Sequence, residues 1–212
     1  KLPLRKPQAE PPQAGIKRIV VKAPAELPYL VMAWHAPQLR DADKEWKPYA
    51  LEVLAGILDG NESARLNKAL VREQQLAQGV GASYDSTARG PSMFVVDGTP
   101  SAGKTVADLE AGLRAQLALL VKDGVNEEEL KRVKAQVTAA EVYKRDSVFY
   151  QAMQIGQMES IGLGHQALGQ RRGEHDDADE QGAALAPRVE HGARRTPGHR
   201  PRRGDTDLVV RP

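Results

Sequence analysis

Apolar positions in this sequence follow two different periods. Ile16 to Val21 and Tyr29 to Trp34 are short runs of β-branched and aromatic residues set apart by Pro24 and Pro28, which predicts two strands. From Tyr49 to Leu58 the spacing becomes helical. Leu51, Leu54, Ile57 and Leu58 share one stripe, and Gly60 stops it. Ser63 stands where it would cap a second helix running to Gln74. Val80 to Tyr84 and Ser92 to Asp97 then predict paired strands around an Arg89-Gly90-Pro91 turn.

Beyond a Gly/Pro loop, Val106, Leu109, Leu113, Leu117 and Leu120 recur at three- and four-residue steps, an amphipathic helix ended at Gly124. Asn126-Glu127-Glu128-Glu129 fits a capping box with Asn in place of Ser or Thr. The helix that follows carries Leu130, Val133, Val137 and Ala140 on its inner side and is expected to continue to about Gln157. The order ββαα ββ αα predicts an α+β fold: a two-layer α/β sandwich, with a mixed or antiparallel sheet and helices packed on one face.

Composition adds boundaries to this plan. Residues 1–14, with Pro3, Pro7, Pro11 and Pro12, read as an extended linker, and 15–168 as the domain. Residues 169–212 have another texture: nine Arg, three His, no Lys, and only five Leu or Val. Residues 1–168 hold all twelve lysines and nine arginines. The break reads either as a shift of reading frame near Leu168 or as a native Arg/Gly/Ala-rich tail. The chain opens on Lys1 rather than methionine, so a piece of a longer or processed polypeptide is expected.

Thirty Lys and Arg against 28 Asp and Glu leave a net charge of +2, which gives no electrostatic case for nucleic acid as partner. No apolar run is long enough for a transmembrane helix. Cysteine is absent, which excludes disulfides, thiolate zinc sites and cysteine nucleophiles.

Gly98-Thr99-Pro100-Ser101-Ala102-Gly103-Lys104-Thr105 satisfies the G-x-x-x-x-G-K-[ST] phosphate-loop pattern, with Gly98, Gly103, Lys104 and Thr105 as candidate phosphate and Mg²⁺ contacts. A nucleotide-binding protein is the alternative this pattern offers. Against it, Pro100 removes one N–H from the cradle, and no strand ending in a metal-holding Asp follows. A polar connection with Thr105 starting a helix is the competing account. The histidines form neither H-x-x-E-H nor H-E-x-x-H, so no zinc helix is present, and His35 beside Trp34 reads as structural. The acidic run Glu174 to Glu180 around His175 reads as a solvated charge run.

Ser63-Ala64-Arg65-Leu66-Asn67-Lys68-Ala69-Leu70-Val71-Arg72-Glu73-Gln74-Gln75-Leu76-Ala77-Gln78 resembles a stretch of the pitrilysin/insulinase zinc-metallopeptidase family, whose form is approximately S-S-R-L-x-x-x-L-R-E-x-x-G-L-A-Y. Leu58-Asp59-Gly60 resembles the end of the helix before it, and Gly124 to Leu130 is similar to the family's G-V-T-x-x-E-L helix start. Pro11 to Gly15 resembles the linker between the halves of bacterial members. The resemblance covers residues 11 to about 168.

It implies a protein built of two α/β halves around a substrate chamber. The inverted zinc motif of the first half is missing, so this chain resembles the second half, which holds no metal. The implied role is a catalytically inactive chamber wall, or a non-catalytic interaction scaffold. Its implied partners are a zinc-bearing half, on the same longer chain or a separate subunit, and extended peptide. Zinc is expected in that partner half and no cofactor in this chain, with periplasmic localisation favoured over cytoplasmic because bacterial relatives are often exported. Active members supply an Arg and, seven residues later, a Tyr that hydrogen-bond the substrate carbonyl. Those positions fall here on Val71 and Gln78, a degenerate substrate clamp. Arg72 and Tyr84 are the neighbouring fallback candidates, Arg72 being turned about 100° from Val71 on an ideal helix.

Overall fold

The computed structural model describes residues 13–144 and 146–169 and the backbone of strand 206–211. Its sheet has five strands: β1 (Lys17–Lys22), β2 (Tyr29–Ala36), β3 (Ala77–Tyr84), β4 (Ser92–Pro100) and β5 (Thr206–Arg211), in the spatial order β1-β5-β2-β4-β3. β2, β4 and β3 form an antiparallel core, with Met32 opposite Val96 and Ala82 opposite Val96 on its other side. β5 runs antiparallel to β2 and parallel to β1, so the first two strands are not neighbours. It comes from the segment set apart as a tail; residues 170–205 and 212 of that segment, including Glu174 to Glu180, lie outside the described residues, as do residues 1–12 of the linker.

Four helices follow the predicted places with altered bounds: α1 (Trp46–Asp59), α2 (Val106–Asp123), α3 (Glu127–Lys144) and α4 (Val148–Ile161). α1 and α2 lie on one face of the sheet, α1 beside β3 and α2 across β4 and β2, and α3 packs against α1. The alternation of the strands puts Leu30 and Met32 of β2 and Phe94 and Val96 of β4 on that face. There they meet Leu58, Leu66, Leu70, Leu109 and Leu113. Burying each such side chain contributes about 1.5–3 kcal/mol, which makes this cluster the main support of the fold. The α+β two-layer expectation therefore holds.

Three local readings are corrected. The helix expected from Ser63 to Gln74 is wound over Asn67–Glu73 as a π-helix, with Gln74 N–H donating to the Ala69 carbonyl at 2.9 Å. Ser63 does not cap it; its N–H donates to the Asn61 side chain at 2.7 Å in a preceding turn. The helix expected to run on to Gln157 stops at Lys144, and α4 starts anew with Ser147 as its cap, the hydroxyl accepting from Tyr150 N–H at 3.3 Å.

Candidate functional site

The segment that carries the family resemblance is held at both ends and in the middle. At its start, the Arg65 guanidinium forks onto the Glu129 carboxylate, Nε to Oε1 at 2.9 Å and Nη2 to Oε2 at 2.7 Å, and Nη2 also donates to the Gly124 carbonyl at 2.8 Å. Glu129 and Gly124 belong to the other motif-like stretch, so the two separately noticed strings touch each other. This also explains why the capping box is only half made. Asn126 Oδ1 accepts from Glu129 N–H at 2.7 Å, but the Glu129 carboxylate turns to Arg65 rather than back to the cap.

In the middle, the π-turn seats Leu70 in the core against α2, where a Cβ placed on Gly112 would lie 3.0 Å from Leu70 Cδ2 and 2.9 Å from Leu76 Cδ1. Leu76 N–H then reaches back to the Leu70 carbonyl at 2.8 Å. Between them, Gln75 has φ +51°, a left-handed conformation that L side chains adopt at a cost of about 1–2 kcal/mol. The family form has glycine at this place. Gln75→Gly is accordingly expected to raise stability by up to about 1 kcal/mol, strain relief exceeding the extra freedom of glycine in the unfolded chain. Urea midpoints measure this, and a loss of stability would show that the left-handed turn is not strained.

Between the π-turn and β3 stand the clamp positions. Val71 is half-buried against the core, whereas Arg72 beside it is exposed. Gln78 is exposed at the start of β3, where the register with β4 slips between Ala77 and Gly79. The fallback candidates therefore separate. Arg72 projects into solvent, while Tyr84 is committed elsewhere: its ring stacks on Phe94 at 6.4 Å and its hydroxyl donates to the Pro37 carbonyl. This is a correction to its candidacy, since a phenol engaged with backbone and core is not presented to a peptide.

The phosphate-loop pattern is also corrected. Gly98, Thr99 and Pro100 are the last residues of β4, opposite Val80, Gly79 and Ala77 of β3, so their backbone belongs to the sheet and makes no cradle. Gly98 is required by packing: a Cβ there would come within 2.9 Å of the Gly79 carbonyl oxygen and 3.2 Å of Leu109 Cδ2. Gly103 (φ +78°) makes the turn and Lys104 N–H donates to the Ser101 carbonyl. Thr105 caps α2 in a reciprocal box with Asp108, whose carboxyl is held below its ordinary pKa by the Thr105 N–H and hydroxyl.

Among the described residues no helix covers the other face of the sheet. Tyr29 and Met93 are exposed on it, and Val31 and Val95 are half-buried. Tyr29 donates its hydroxyl to Asp97 across this face, and burial, that bond and the negative charge push the phenol up to about 12. Sequence reasoning missed this pair, which lies on strands recognised only by their apolar residues. His35, next to last in β2, is exposed. Among the described residues no three His, Asp or Glu side chains come together in a way that fits a metal ion.

Residues 1–137 match the family of the peptidase M16 inactive domain. The chain belongs to that family. An inactive peptidase domain is not by itself an enzyme, and the pitrilysin-type second half read from the sequence is the part concerned. No curated protein sequence matches. The fold is similar to a protease from Helicobacter pylori (17% identity, TM-score 0.73), covering 95% of this chain and 46% of that one. It is similar to a peptidase M16 inactive domain protein from Pseudomonas fluorescens (19%, TM-score 0.63), covering 99% and 45%. An inactive peptidase domain from Bordetella parapertussis (20%, TM-score 0.63) is covered to 82% by 74% of this chain. The M16 domain thus spans somewhat less than half of the longer relatives.

Proposed function

We propose that this chain is the non-catalytic half of a two-part zinc-peptidase-like assembly. It forms one wall of a substrate chamber, pairs with a zinc-bearing half, and offers extended peptide a surface that binds without cleaving. The observation that carries this reading is the open sheet face. Helices cover one side of the sheet, while the other leaves Tyr29, Met93 and their apolar neighbours without cover among the described residues. A face of this kind on a stable domain marks a site of association, and the chain accounts for only 46% and 45% of two longer relatives.

The chemistry of the clamp region supports a binding role. Oxyanion stabilisation needs donors aimed at the developing charge. Val71 donates nothing, and Gln78 brings a neutral amide in place of a phenol. Arg72 is the cation nearest in sequence, and we assign it to contact with peptide rather than to catalysis.

The reading is tested by mixing the full chain with an H-x-x-E-H-bearing half of a member of the same family. The expected results are co-elution on size exclusion, no peptide turnover by this chain alone, and weakened co-elution when Met93→Asp puts a charge on the open face while the melting temperature holds. Chelator-sensitive turnover by the chain alone would overturn the reading, as would co-elution indifferent to Met93→Asp.

A further inference from the structure

A cavity of about 300 Å³ lies between the start of the 63–78 segment and the first two turns of α3. Every residue that lines it is charged or polar, so a hydrophobic ligand gains nothing there. Its volume stands at the small end of ligand sites, which run from about 300 to 1,000 Å³, and suits a molecule of amino-acid size.

The charges in its walls are not all spent. Arg65 and Glu129 answer each other through their fork and cancel. Asn126 Oδ1 is taken by the Glu129 N–H. Arg132 and Glu128 also line the cavity, one helical turn apart on α3, and neither has an ion-pair or hydrogen-bond partner among the described residues. Lys68 has only Glu73, 3.9 Å away, with both side chains largely exposed. A pair that long and that exposed contributes next to nothing. Two cations and one carboxylate are therefore left to meet a ligand, with the Ser63 hydroxyl beside them as donor or acceptor.

The complement of two positive charges and one negative charge is a small molecule with two negative charges and one positive. We propose that this cavity binds a free acidic amino acid, its two carboxylates on Lys68 and Arg132 and its ammonium on Glu128. The proposal does not depend on pairing with a zinc-bearing half. Rival ligands each leave a charge unmet: phosphate or a dicarboxylate turns a negative charge on Glu128, and a neutral amino acid leaves one cation without a partner. Because the ligand would touch both the 63–68 stretch and α3, it would bind only where the two are joined and would stabilise that joint.

The test follows amide chemical shifts of the isotopically labelled full chain during titration with L-glutamate, glutarate, L-alanine, phosphate and a short peptide beginning with glutamate. L-Glutamate is expected to shift the amides of Ser63, Lys68, Glu128 and Arg132 with a Kd of about 1–10 mM, as exposed charges allow, and the others to bind about fivefold more weakly or less. Arg132→Gln and Glu128→Gln, both at exposed positions, should each weaken L-glutamate about fivefold while amides outside the cavity keep their shifts. In Glu128→Gln, glutarate is no longer repelled and should bind within about twofold of L-glutamate. No shift at these amides up to about 50 mM L-glutamate would overturn the site. Glutarate or phosphate binding the wild-type chain as tightly as L-glutamate would overturn the ligand class, as would equal binding of the peptide. Indifference to both substitutions would overturn the placement of the ligand on α3.

Discussion

Arg65→Met is expected to lower the unfolding free energy by about 2–4 kcal/mol in urea denaturation, far more than the loss of a surface ion pair. The Arg65 side chain is 23% exposed and Glu129 only 9%, so methionine would keep the packing of the stem yet leave a buried carboxylate without its cation. The Gly124 carbonyl at the end of α2 would lose its donor as well. Replacing both partners, Arg65→Met with Glu129→Leu, should recover more than half of the loss, because the unpaired charge then disappears. The double-mutant cycle separates the two contributions. A single-substitution loss below about 0.5 kcal/mol would mean that Glu129 finds water, and the pair would be ornamental. The expected loss matters for the proposed function because this pair ties the start of the 63–78 segment, to which we assign peptide contact, to the joint between α2 and α3.

How much of this was readable beforehand differs from element to element. The α2 helix was legible because its signals are local: Thr105 and Asp108 three residues apart make the cap, and Leu109 and Leu113 make the stripe. The β3–β4 pair was legible for the same reason, its connection being marked by Arg89-Gly90-Pro91. The Arg65–Glu129 pair was not, since 64 residues separate its members and the local pattern gave Glu129 to a capping box. The phosphate-loop pattern misled because a strand ending in Gly98-Thr99-Pro100 and a capped helix start can share its letters without sharing its backbone. The break between α3 and α4 carries neither glycine nor proline, so Ser147 was the one local signal for it. The segment from Ser63 to Gln78 was located by resemblance, but its winding was not. A π-turn has no composition of its own, and the seating of its side chains decides it.

That last point yields the second large effect. Leu70→Ala is expected to cost about 3–4 kcal/mol, the range for a fully buried leucine whose neighbours cannot collapse onto the space. Leu70 is 0% exposed and wedged at Gly112, where α2 has no side chain to fill a gap. Val71→Ala, one residue on and half-buried, should cost about 1 kcal/mol or less. The contrast tests what holds the π-turn. Its reach-back bonds, Gln74 N–H to the Ala69 carbonyl at 2.9 Å and Leu76 N–H to the Leu70 carbonyl at 2.8 Å, are expected to depend on Leu70 staying in its socket. Amide exchange at Gln74 and Leu76 should therefore accelerate in Leu70→Ala by more than the global loss accounts for, and stay unchanged relative to it in Val71→Ala. If the two variants lost equal stability, or if these amides kept their protection without Leu70, the turn would be held by its own backbone. The exposed placement of Arg72 and Gln78 would then be a local property of the segment, with no contribution from the core beneath it.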